Sequence, residues 1–173
     1  MRSKHQHNPD SSTKRIGKFN LQNKTVLIPE MNRIAAHLVA ATFRSFGSNA
    51  KVLETYNGLD LGKKYTSGKE CFPCQVTLGD ILLFLKTEQQ NRGSGFDPEN
   101  YLYFLPESDG PCRFGMYNTF QRMVLDTFPK LDRVKIVSIT AKDGYSLDGV
   151  IDTNRMLDFR KASYVAVVVA DIM

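Results

Sequence analysis

An α/β fold, with a mostly parallel sheet and helices on both faces, follows from three features of this 173-residue sequence. Short apolar runs alternate with longer segments of helical period, Gly, Pro and Asn punctuate the joins, and the first three elements read strand, helix, strand. At this length and 42% hydrophobic content the chain can bury a core of its own.

The elements follow in order. Residues 1–23 are polar and basic and are expected to form a flexible tail, in which His5 and His7 read as solvated side chains. "TVLIP", Thr25 to Pro29, reads as a buried strand. "EMNRIAAHLVAATFRSFG", Glu30 to Gly47, reads as a helix closed by its glycine. "AKVLE", Ala50 to Glu54, completes a βαβ unit. "GLDLGKKYTSGKE" shows no clear strand, and a helix is expected from Gln75 to Glu88. "NRGSGFDPEN" is a turn-rich connector, Tyr101 to Pro106 a third strand, Arg113 to Phe128 a helix, and Arg133 to Ile139 a fourth strand. The segment 24–140 therefore reads as a Rossmann-like domain, the first half of a two-domain arrangement. Residues 141–173 read as the start of a second, truncated segment. In it "TNRMLDFRKASYVAVVVADIM" suits either a helix, with Leu157, Ala162, Val165, Val169 and Ile172 on one face, or a buried strand over "YVAVVVADI".

The formal charge of +5 resides in residues 1–24, where Arg2, Lys4, Lys14, Arg15, Lys18 and Lys24 face Asp10 alone. The remainder is formally neutral, so no basic face for nucleic acid is evident. No run is long enough for a transmembrane helix, and neither a membrane nor a nucleic acid is an expected partner. Three cysteines, an odd number, with no apolar leader at the amino terminus point to a reducing, cytoplasmic setting with free thiols.

Those cysteines carry the chemistry. Cys71 and Cys74 form a C-x2-C pair ahead of a helix, and Cys112, after Gly110 and Pro111, precedes another. Amide N–H groups and the positive dipole end at a helix start stabilise thiolate, so three sulfurs at helix amino termini suit one site. Four readings stay open. Zinc needs a fourth ligand, for which His37 inside an amphipathic helix is the available residue. A thiol oxidoreductase uses Cys71 and Cys74 and leaves Cys112 idle. A [4Fe-4S] cluster on three thiolates leaves one iron open. Three unrelated packing or loop cysteines, in a metal-free interaction module, are the plainest reading. Lys69 and Arg113 flank the sulfurs and can offset cluster charge or serve as exposed loop cations. Ser67, Gly68 and Gly110 shape backbone beside the site, Tyr65 and Tyr117 line it or pack in the core, and Gly79 inside its helix marks a close approach of backbone or ligand. Glu70, Glu107 and Asp109 read as acid–base candidates or solvated carboxylates.

The stretches "KYTSGKECFPCQVTLGDILLFLK" and "YFLPESDGPCRFGMYNTFQRMVL" resemble the signatures of CoA-substrate-specific enzyme activase and 2-hydroxyacyl-CoA dehydratase-like proteins, in the long activase-related branch. The resemblance runs from about Lys24 to the carboxyl end, and its strings G-K-E-C-x-P and G-P-C-R-F-G-x-Y are specific. It implies Rossmann-like domains around an oxygen-sensitive iron–sulfur cluster, a [4Fe-4S] or a larger double cluster, working in one-electron transfer in anaerobic metabolism. By position it implies Cys71 and Cys112 as ligands, and Cys74 as a further one. It also implies partners, namely other modules or subunits of a dehydratase/activase system and an ATP-dependent activator on another chain or segment. This sequence has no Gly-rich phosphate loop or acidic metal motif for ATP, so the resemblance extends to a cluster module and not to a complete enzyme.

Overall fold

The computed structural model describes residues 21, 24–139 and 153–173, so the expected tail, apart from Leu21, and the stretch 140–152 lie outside the described residues. Four strands, β1 (Thr25–Pro29), β2 (Asn49–Leu53), β3 (Tyr101–Phe104) and β4 (Lys135–Val137), form one all-parallel sheet in the order β2-β1-β3-β4. Around it lie α1 (Arg33–Ser45), α2 (Leu59–Lys64), α3 (Phe72–Arg92), α4 (Tyr117–Asp126) and α5 (Thr153–Ile172). The arrangement is the Rossmann-like α/β architecture expected from the sequence.

Period-two alternation divides the core. Val26 and Ile28 of β1, with Leu102 and Phe104 of β3, face α1 and α5, where they meet Ala36, Ala40, Phe43, Met156 and Phe159. Leu27, Tyr101 and Tyr103 point the other way, onto Leu78, Ile81, Leu82 and Leu85 of α3 and Leu125 of α4. Phe43 is the hinge pin of the first layer, edge-on to Phe104 at 5.3 Å and to Phe159 at 4.9 Å between ring centroids.

Several boundaries shift for local reasons. α1 begins at Arg33 because Asn32 caps it, its side chain accepting the Ala35 N–H at 2.9 Å. α1 ends at Ser45, and Gly47 follows in the left-handed region at φ +88°. α3 is longer at both ends than expected, with Cys71 as its N-cap and Pro73 in its first turn, where proline's missing N–H does no harm. A tight 3₁₀ turn over Arg113–Met116 replaces the start of the helix expected from Arg113 to Phe128.

α2 was not foreseen. It occupies the stretch in which no strand was found, and it lies on α3 so closely that a Cβ added at Gly79 would sit 2.0 Å from the Gly58 carbonyl oxygen. Gly79 thus serves an approach of backbone, as its place in a helix suggested. The contact is fastened by Asp80, whose buried carboxylate accepts the Gly58 N–H at 3.0 Å. Burial pushes the Asp80 carboxyl up, against the pull of hydrogen bonds from Gly58 and Tyr56.

The carboxyl-terminal segment is a helix, and its expected face is corrected. Met156, Phe159, Ala166 and Ala170 are buried, while Leu157, Val165, Val169 and Ile172 are exposed. Met156 and Phe159 share a cluster with Phe43, so α5 packs into the core on the α1 face of the sheet. Among the described residues no helix is long and apolar enough to cross a membrane.

Candidate functional site

Strand order reverses between β1 and β3, and in open parallel sheets the crevice at the carboxyl ends of strands flanking such a switch point is where ligands bind. Both cysteine loops lie on this edge. The first enters α3, and the second leaves β3 through Leu105 and Pro106 toward the Arg113–Met116 turn.

Two contacts join the loops. The Arg113 guanidinium donates to the Lys69 carbonyl, tying one loop backbone to the other. Cys71 Sγ and the Tyr117 hydroxyl lie 2.5 Å apart and share one hydrogen. Tyr117 is buried at the first position of α4, and burial with the Cys71 contact pushes its phenol up, so it stays protonated and able to donate. Lys69, Glu70, Cys71, Cys74, Arg113, Met116, Tyr117 and Phe120 line a cavity of about 210 Å³ there. Gly110 adopts φ +100°, a conformation that L side chains rarely take and that this turn into Cys112 requires.

Glu70 is held in the same loop. Its carboxylate accepts the Ser67 N–H at 2.9 Å and the Ser67 hydroxyl at 3.0 Å, and these and other local hydrogen bonds hold its carboxyl below the usual range. The residue is a loop brace more than a free acid.

The three thiols differ. Cys71 is half-buried, Cys112 is exposed, and Cys74 is 2% exposed within the core cluster of Leu78 and Tyr103. Burial pushes the Cys74 thiol up to about 12, with Cys71 and Glu70 adding to the effect and a hydrogen bond from Gln121 opposing it. Gln121, which sequence reasoning missed, is itself fully buried and donates to the Thr77 hydroxyl at 2.8 Å; its amide oxygen has no protein partner. A glutamine on the inner face of an amphipathic helix was the available signal.

His37 is exposed on α1 and lines neither this cavity nor the neighbouring one, which removes the fourth ligand considered for zinc. Tyr65 packs edge-on against Phe128 at 5.1 Å and belongs to the core periphery, whereas Tyr117 belongs to the site. Glu107 and Asp109 do not line either cavity.

No family model, curated protein or solved structure matches this chain.

The donor set can be tested against an iron–sulfur cluster. Cys71 suits a ligand's place, as a half-buried N-cap with the Tyr117 hydroxyl beside it and cationic Lys69 and Arg113 nearby, whereas Cys112 is an exposed N-cap that lines the neighbouring cavity and not this one. Cys74 points into the core as a protonated thiol and does not fit in this arrangement. Among the described residues no three His, Cys, Asp or Glu side chains come together as a metal-holding group.

Proposed function

We propose that the chain is an iron–sulfur module of a 2-hydroxyacyl-CoA dehydratase/activase-related system, acting in one-electron transfer. The observation that supports it is the joining of the two cysteine loops, distant in sequence, through Arg113 and Tyr117 at the carboxyl edge of the sheet. Cys71 and Cys112 would supply thiolates to a [4Fe-4S] cluster, and further ligands would come from other subunits or segments of the system. Such a cluster, when bound, supplies a one-electron carrier whose potential responds to hydrogen bonds and charge around its sulfurs.

The chain's own residues do the rest. Against a ligating Cys71 thiolate the Tyr117 hydroxyl would donate and so draw density from the sulfur. Arg113 holds the loops in register, and Lys69 and Arg113 lower the cost of gathering negative charge. Phe120, half-buried, and the buried Tyr117 close the α4 side of the cavity. Cytoplasmic placement and an ATP-dependent activator as electron donor are parts of the same proposal.

A second reading has a specific observation in its favour. Cys71 caps α3 half-exposed while Cys74, one turn in, is buried with its thiol pushed up, the asymmetry expected of a nucleophilic and a resolving cysteine in a thiol oxidoreductase.

The deciding experiment is anaerobic reconstitution with iron and sulfide, read by metal and labile-sulfide analysis and electron paramagnetic resonance after reduction. The cluster reading expects bound iron and a reduced-cluster signal, both lost in Cys71→Ala and in Cys112→Ala and kept in Cys74→Ala. Colourless protein in which a reversible Cys71–Cys74 disulfide forms, indifferent to Cys112→Ala, would establish the oxidoreductase instead.

A further inference from the structure

A second cavity lies on the other side of Tyr117, about 440 Å³ in volume, within the range of small-molecule sites. It opens at the carboxyl ends of β1 and β2, bounded by Glu30 and Met31 after the first strand and Thr55 and Tyr56 after the second. Cys112 lines it, as Cys71 and Cys74 line the first cavity, but the rest of its lining is of another kind. Four aromatic rings line it, those of Tyr56, Phe72, Phe114 and Tyr117, and its one charged side chain is the Glu30 carboxylate, which has no ion pair among the described residues.

The rim is built and held. Tyr56 and Phe72 pair with ring centroids 6.2 Å apart although they are 58% and 50% exposed, so large apolar rings are spent on the mouth of a cavity. Tyr56 stands at φ 69°, in the left-handed region that costs a non-glycine residue free energy and is kept where surrounding structure enforces it. Here the buried Asp80 enforces it, through hydrogen bonds from Tyr56 and Gly58.

We propose that this cavity binds a small organic ammonium ion, of the quaternary or alkylated ammonium class. A cation is drawn to the faces of aromatic rings and to a carboxylate, and alkyl groups on nitrogen suit apolar walls. Among the described residues no Lys, Arg or His lines the cavity to oppose it. The positive ends of α1 and α3 are muted, since Asn32 takes the Ala35 N–H, Pro73 has none, and the Cys74 N–H is bound to the Cys71 carbonyl at 2.9 Å. A phosphate ligand, the usual guest of this sheet edge, finds neither a glycine-rich loop nor a basic side chain there.

The test needs no metal, and because Cys112 and Tyr117 also line this cavity it is read on the cluster-free chain. Binding of choline and of its neutral isostere 3,3-dimethyl-1-butanol to the full, metal-free chain is measured by calorimetry and ligand-observed NMR. Choline is expected to bind about tenfold tighter than the alcohol. Glu30→Gln and Phe72→Leu are each expected to weaken it severalfold, with His37→Gln, remote from the cavity, unchanged. Both replaced side chains are only partly buried or exposed, and one-dimensional spectra check that the variants fold. Equal binding of choline and the alcohol, undetectable choline binding, or full retention in Glu30→Gln would each overturn the proposal.

Discussion

At the level of single residues, thiol burial makes the sharpest forecast. Exposed Cys112 should alkylate with iodoacetamide at neutral pH more than ten times faster than Cys74, as peptide mapping by mass spectrometry would show. Comparable rates would mean that Cys74 leaves the core. A second forecast concerns alkaline pH. The folded Cys74 thiol, near 12 against an ordinary 9.0, holds its proton more tightly than the unfolded one. Its contribution to stability is therefore complete below pH 9 and is lost as pH rises from there toward 12. Between pH 8 and 10 this residue alone should remove on the order of 1 kcal/mol of unfolding free energy, and urea titrations of Cys74→Ala should show a shallower decline than the parent. Tyr101, also pushed up to about 12 by burial and its bond to Glu88, steepens the loss at higher pH. Sequence spacing was enough to single out the three cysteines and their helix-start positions, because a C-x2-C around proline restricts local backbone strongly. It was silent on which sulfur faces inward, since that depends on Gln121 of α4 arriving beside Thr77 and Cys74 of α3. The pairing of Cys71 with Tyr117 was beyond reach for the same reason.

Among the elements, the α2–α3 crossing is the most demanding join. Gly79→Ala raises the intrinsic helix preference of α3 by about 1 kcal/mol. Even so, its new methyl meets the Gly58 backbone, which has no soft side chain to yield, so a net loss of about 1–3 kcal/mol is expected in denaturant titration. Asp80 offers a contrasting pair. Asp80→Asn keeps an oxygen for the Gly58 N–H and removes a charge that burial disfavours, so it should be tolerated, whereas Asp80→Ala should lose about 1–3 kcal/mol by stranding buried N–H groups. A thermal-melt comparison in which both behave alike would remove hydrogen bonding as Asp80's role. The strands and the helices α1 and α3 were legible because runs such as "TVLIP" and "ILLFLK" have a clear period and clear stops. α2 was not, being a six-residue helix with two basic residues that owes its existence to packing on α3. The correct face of α5 escaped as well, since the run Val165 to Val169 puts apolar side chains on every side of the helix and periodicity gives no preference.

For the molecule as a whole, the two layers are unequal in how they are completed. α3 and α4 cover one face of the sheet, while α1 covers the other only with α5 laid beside it. Phe159 carries that join, 5% exposed and edge-on to both Phe43 and Phe46. Phe159→Ala is expected to lower unfolding free energy by about 3–5 kcal/mol, read in urea titration, with the site cysteines no more reactive below the transition. The parallel sheet order itself could be anticipated as a class from alternating elements, but not the reversal between β1 and β3, because strand adjacency is decided by which faces can be covered. Phe43 and its partner Phe159 are separated by more than a hundred residues of sequence. At ribosomal speeds of about 5–20 residues per second, α1 must wait on the order of 6–23 seconds with its apolar face uncovered before α5 emerges to meet it. The nascent chain therefore passes through a long window in which that face is open to chaperones and to other nascent chains. Its yield in the cell should depend on how that interval is guarded more than on the strength of the finished fold.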